Sequence, residues 1–130
     1  MPSEGTEEVL QERMEALKDS VATVAVESWR LFKTLDRLLN ALDAKEQQRC
    51  QGKIRWFVKK VEESLKAAGL NVVSYEGSMY DPGIPASPIN LEDFQKEDQL
   101  YVAQMLEPVI LDSNGTVLRT GAIALGRVEK

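Results

Sequence analysis

From Leu10 to Leu42 apolar residues return at spacings of four and three. Leu10, Met14, Leu17, Val21, Val24, Ser28, Leu31, Leu35, Leu38 and Leu42 fall on one seam, and nine of these ten are apolar. In heptad terms Leu10, Leu17, Val24, Leu31 and Leu38 take d; Met14, Val21, Ser28, Leu35 and Leu42 take a. No glycine or proline interrupts the run. A strict 3.5-residue period held this long predicts helices wound around each other. A helix facing an ordinary core shows a looser 3.6 pattern. A helix from about Thr6 to about Gln47 is roughly 60 Å long at ~1.5 Å per residue. The rest of the chain is too short to wrap such a rod, so a second copy is the expected partner. Thr6 is a fair N-cap, followed by Glu7 and Glu8 where negative charge suits the helix dipole. Gly52 marks the expected break. A second helix is predicted from about Lys53 to Ala68, with Ile54, Phe57, Val58, Val61 and Leu65 on one stripe and Gly69 as its stop. Trp56 and Phe57 are expected to pack on the rod near Trp29 and Phe32 rather than to stack on bases.

Beyond Gly69 the pattern changes. Leu70 to Tyr75 is short and β-prone. Gly77 to Pro88 holds Gly77, Pro82, Gly83, Pro85 and Pro88, which exclude helix and sheet interior. Tyr101 to Leu111 is β-prone, with a bend or an edge required at Pro108. Asn114-Gly115 predicts a hairpin turn, and Thr116 to Leu125 returns as a strand. The expected class is α+β: a long coiled-coil-forming helix plus a short helix in a dimeric helical bundle, followed by a small antiparallel β-domain. Residues 1–5 are expected to be a frayed, disordered N-terminus, 6–69 the dimerisation region and 70–130 the β-domain.

Composition narrows the chemistry. The chain has 130 residues, net charge −5, one cysteine and no histidine. Charge is unevenly placed: residues 1–28 and 67–130 are acidic, while 29–66 form a basic island, either a docking surface for an acidic partner or, more plainly, a solvated helical face. Cys50 alone supports no disulfide framework, and without histidine a Cys-His nucleophile is impossible. The missing histidines also remove the commonest metal ligand and general base. No phosphate-binding glycine loop is present, and Glu92/Asp93 and Glu97/Asp98 read most simply as solvating charge in a polar loop. An enzyme is not expected, nor a cofactor or metal. Arg30, Lys33, Arg37, Lys53, Arg55, Lys59 and Lys60 suggest a nucleic-acid surface, but the net charge opposes one. No apolar run approaches the ~18 residues of a membrane span. The polar, acidic first residues differ from a signal peptide, so a cytoplasmic protein is expected.

Three stretches taken together resemble the GrpE family, the nucleotide exchange factors of DnaK-type chaperones. Leu35-Asp36-Arg37-Leu38-Leu39-Asn40-Ala41-Leu42 looks like the end of the family's long helix. Val61 to Asp81 is similar to its helix, glycine, strand and Gly-containing link into Tyr80-Asp81-Pro82. Val109 to Leu125 is similar to its last hairpin, with Asn114-Gly115 at the turn and Val117-Leu118-Arg119 after it. The resemblance covers roughly residues 30–125. Gly83-Ile84-Pro85-Ala86 departs from the family's His-Glu-Ala, Thr116 stands where an arginine is common, and Thr120-Gly121 replaces Pro-Ala. The resemblance implies a parallel homodimer in which paired long helices join short helices in a four-helix bundle. It implies a β-domain that wedges into the chaperone's nucleotide-binding domain, opens its cleft and lets ADP leave. Partner contact is then expected at Thr116, Arg119 and Leu125. Tyr80, Asp81 and Pro82 are expected to fix a loop. A dimeric scaffold without exchange activity is the alternative.

Overall fold

In a computed structural model residues 4–129 are described; residues 1–3 and 130, which include most of the expected frayed terminus, lie outside them. Two helices precede six short strands, as the α+β reading requires. Helix α1 spans Glu4–Leu39, so Glu4 and Gly5 are helical rather than frayed, and Glu4 and Glu7 supply the acidic first turn. It ends well before Gln47. Ala41 N donates to Leu38 O and Leu42 N to Leu39 O, both at 3.1 Å, closing a tight turn. Helix α2 then runs Ala44–Ala67, with Asp43 as its N-cap accepting from Glu46 N at 2.9 Å. The break expected at Gly52 therefore falls at residues 40–43, and Leu42 lies in the turn rather than on the helical seam. Leu42 kept the heptad phase by chance of position. The Asp-x-x-Glu spacing of Asp43 and Glu46 was the competing signal, because a carboxylate cap satisfies a free N–H of the next helix. Gly52 is tolerated inside α2, where nothing stands within 4 Å of a would-be Cβ.

The strands form one bent hairpin that serves two sheets. Strands β3 (Leu100–Glu107) and β4 (Val109–Asp112) run outward; β5 (Val117–Arg119) and β6 (Gly121–Arg127) return. Near the turn, β4 and β5 pair with β1 (Leu70–Val73) in an antiparallel sheet ordered β1-β4-β5. Away from it, β3 and β6 pair with β2 (Ala86–Pro88) in the order β2-β6-β3. The strand expected over Tyr101–Leu111 thus bends at Pro108, which is buried and has no N–H to give a ladder. The returning strand kinks opposite, between Arg119 and Gly121. Two details differ from expectation: β2 pairs with β6 in parallel, and it draws Pro88 into a strand. The proline is accommodated because β2 is an edge. The turn itself is held by Asp112, whose Oδ1 accepts from Asn114 N and Thr116 N, both at 2.9 Å. Gly115 sits there at φ +83°, a backbone region that other residues enter at a cost.

Two apolar clusters hold helices and sheets together. Ala22, Ala25 and Val26 of α1, Leu65 of α2, Leu70 of β1 and Ile110 of β4 form the first. The alanines bring the sheet close to the helix axis. Ala86, Val102, Met105, Val109, Ile123 and Leu125 form the second, and Trp29 reaches into it from α1. Ion pairs flank the same junction. Arg30 Nη1 lies 3.6 Å from Glu107 Oε1, and Lys33 Nζ 3.5 Å from Glu76 Oε2. Part of the basic island is therefore occupied by acidic groups of the chain's own β-domain. Among the described residues no helix is long and apolar enough to cross a membrane.

Candidate partner-binding site

Three features of the chain present themselves to a partner: the seam of α1, the hairpin tip and the loops of the β-domain. The seam is laid out by helical geometry. On α1 the residues that pack on the chain's own α2 and β-domain are Ala22, Ala25, Val26 and Trp29, which follow the seam around the helix. The d residues point away from this contact. Leu17 is 67% and Leu31 54% exposed, and Leu10, Val24 and Leu38 are exposed with them. Met14 and Leu42 are also exposed, whereas the a residues Val21, Ser28 and Leu35 are half-buried at the border. Every described residue from Glu4 to Leu17 is exposed. Such a stripe is costly in water, at about 25 cal/mol per Å² of apolar surface. It continues into an open groove of Leu35, Leu38, Leu39, Leu42, Cys50 and Ile54 beside the turn that joins α1 to α2.

Trp56 does not pack on the rod. It is 60% exposed, on the outer side of α2, with Lys60 Nζ 4.6 Å above its ring. Its position is one residue off the stripe of Ile54, Phe57, Val58, Val61 and Leu65, which sends it outward. Phe57 lies with Trp29, Phe32, Val58 and Val61 around a groove between the helices, although it is still 41% exposed.

The hairpin residues are not brought together. Thr116 is exposed at the tip with Val117 and Leu118. Arg119 is turned onto α1: its Nη2 donates to Asp19 Oδ1 at 2.7 Å, to Thr23 Oγ1 at 2.6 Å and to Asp19 O at 3.2 Å. Leu125 is only 4% exposed and belongs to the second cluster. Alternation explains both placements. Gly121, Ile123 and Leu125 share the inward face of β6, while the edge strand β5 presents Arg119 to the helix beside it. Arg119 is a brace and Leu125 a core residue in the folded chain. Removing the brace costs about 1 kcal/mol, because both partners are partly solvated. Arg119→Ala should therefore lower the melting temperature slightly and speed amide exchange in β5. Unchanged exchange there means the bonds do not hold strand to helix.

Tyr80, Asp81 and Pro82 shape a loop. Asp81 Oδ1 accepts from Gly83 N at 2.8 Å, and Asp81 O accepts from Ile84 N at 2.9 Å. Tyr80 N donates to Leu100 O at 2.9 Å while the ring packs on the second cluster. Asp81→Ala removes one carboxylate bond, worth about 1 kcal/mol. It should lower β-domain stability by about that much, more than it lowers intrinsic partner affinity. Unchanged melting with abolished binding gives the opposite assignment.

Sequence reasoning missed a cleft in the same region, lined by Met79, Tyr80, Pro82, Leu91, Phe94 and Leu100. Its signal was present: Ile89, Leu91 and Phe94 are large apolar residues in a stretch otherwise too polar to need them. Among the described residues no group of three or more carboxylate or cysteine side chains is placed to hold a metal. No protein-family model, no curated protein and no solved structure matches the chain.

Proposed function

We propose that the chain is a GrpE-like nucleotide exchange factor, a parallel homodimer that binds the nucleotide-binding domain of a DnaK-type chaperone and promotes ADP release. The observation that carries this reading is the division of α1 into two apolar faces. One face holds the chain's own α2 and β-domain; the other, the d row from Leu10 to Leu38, is exposed along the whole helix. Pairing the d rows makes a two-fold rod. Each β-domain is then carried rigidly beside it, clamped by Trp29, Arg119, Arg30 and Lys33. A rigid wedge suits a factor that performs no chemistry. It needs only to bind the open state of its partner more tightly than the closed one. The lone cysteine fits a cytoplasmic setting, and among the described residues no helix is long and apolar enough to cross a membrane.

Linkage supplies the test. If the factor weakens ADP binding to the chaperone, ADP weakens the factor's binding by the same ratio. Titration of the full chain into the nucleotide-binding domain should show high affinity without nucleotide and a marked loss with saturating ADP. Equal affinities in the two titrations would falsify the proposal. A dimeric scaffold without exchange activity is the second reading. It is favoured by the inward use of Arg119 and Leu125, which leaves the hairpin with only Thr116 exposed of the three residues expected to touch the chaperone.

A further inference from the structure

Between Met79 and Leu100 the chain leaves the β3 edge, passes through β2 and a short 3-10 turn (Leu91–Asp93), and comes back. This excursion leaves Met79, Ile89 and Leu91 exposed. Met79 and Leu91, with Tyr80, Pro82, Phe94 and Leu100, form the apolar part of an open cleft of about 670 Å³, whose charged lining is Lys96 and Asp98. The cleft is framed by fixed bonds. Asn90 Oδ1 accepts from Leu125 N at 2.9 Å and its Nδ2 donates to Leu125 O at 3.1 Å, pinning the residue before Leu91 to β6. Gln95 N donates to Asp98 Oδ2 at 2.9 Å and closes the far side.

The chain segment that builds this floor is one-sided in charge, although the wall of the cleft itself carries one base and one acid. Residues 81–100 hold five carboxylates, Asp81, Glu92, Asp93, Glu97 and Asp98, against the single base Lys96. Asp81 and Asp98 accept bonds from their own turns. The side-chain carboxylates of Glu92, Asp93 and Glu97 make no hydrogen bond or ion pair with the described residues, although Asp93 N donates to Asn90 O at 3.1 Å. An exposed apolar patch rimmed by polar groups marks an interaction surface, and the rim charge selects the partner.

We propose that this cleft is the β-domain's docking surface, and that it takes a protein surface presenting an apolar side chain flanked by lysine or arginine. Taking that protein to be the chaperone rests on the exchange-factor reading. A second copy is the wrong occupant. In a two-fold pair an interface at this cleft sets the same acidic rim against itself, like charge against like. The apolar floor supplies affinity, and the rim supplies orientation and a salt-dependent encounter.

The test titrates the full chain into a nucleotide-free DnaK-type nucleotide-binding domain at low and at high salt. Three proteins are compared: wild type, Glu92→Lys with Glu97→Lys, and Leu91→Ser. All three positions are exposed, so melting curves should coincide. The charge variant should bind about tenfold more weakly at low salt, with the gap closing at high salt. Leu91→Ser should weaken binding at both salts. If wild type binds and both variants bind as it does, the cleft is not the docking surface. If the charge variant changes the oligomeric mass, the cleft belongs to a second copy and the proposal is overturned. If wild type itself fails to bind, the exchange-factor reading falls, and with it the chaperone as occupant of the cleft.

Discussion

With Leu31→Glu and Leu38→Glu together, the protein should sediment as a single chain with its β-domain intact. Both side chains are more than half exposed in the isolated chain, so the substitutions remove little of its own core. In the pair they sit at successive d positions, each opposite its equivalent. Burying one leucine is worth ~1.5–3 kcal/mol, so losing four across the interface removes roughly 6 kcal/mol or more. That corresponds to over about four decades in the dissociation constant. The introduced carboxylates add repulsion across the seam. Helix content should fall mainly in residues 4–17, which are exposed throughout in the single chain, while the signals of the β-domain persist. An unchanged mass would place the contact elsewhere. Parallel pairing is checked separately: cysteines at position 17 should cross-link to each other, and a link from 10 to 38 means an antiparallel rod.

The second large effect is local. Gly121→Ala puts a methyl 2.8 Å from Glu107 O, 3.0 Å from Val109 Cγ2 and 3.2 Å from Met105 Cε. The nearest of these is backbone, fixed by the pairing of β3 with β6, and cannot swing aside. Overpacking of this kind costs about 1–3 kcal/mol. The loss should appear in the β-domain, as faster exchange of amides in β3 and β6, with α1 and α2 still helical. A variant that melts with wild type would mean that the kink opposite Pro108 is looser than described.

How far the sequence discloses such a fold depends on how local each signal is. The long helix, the proline bend and the Asn114-Gly115 turn all follow from neighbouring residues: a repeat, a missing N–H, a glycine in a left-handed conformation. The helix end was misread because one apolar residue, Leu42, continued the heptad phase past a genuine cap at Asp43. Tertiary choices were less legible. Alternation along β6 puts Leu125 inside, but only the sheet's position shows which face is inside. Likewise the contact of Arg119 with Asp19 joins residues a hundred positions apart. The basic island read as a solvated face or docking surface because Glu76 and Glu107, which meet Lys33 and Arg30, are distant in the chain. The cleft beside Leu91 is legible only in part: Leu91 and Phe94 stand out as apolar residues in a polar stretch, but what they face does not. Its lining comes from both ends of a loop whose closure no local pattern announces.

Nucleotide exchange itself is the most direct measurement. A DnaK-type chaperone loaded with fluorescent ADP is mixed with excess unlabelled nucleotide and increasing amounts of the full chain. An exchange factor speeds the fluorescence decay in proportion to its concentration at first, then to a plateau, and the Leu31→Glu, Leu38→Glu chain does so less effectively. A decay that stays at the chaperone's own rate at every concentration, with the wild-type chain dimeric and folded, contradicts the proposed function.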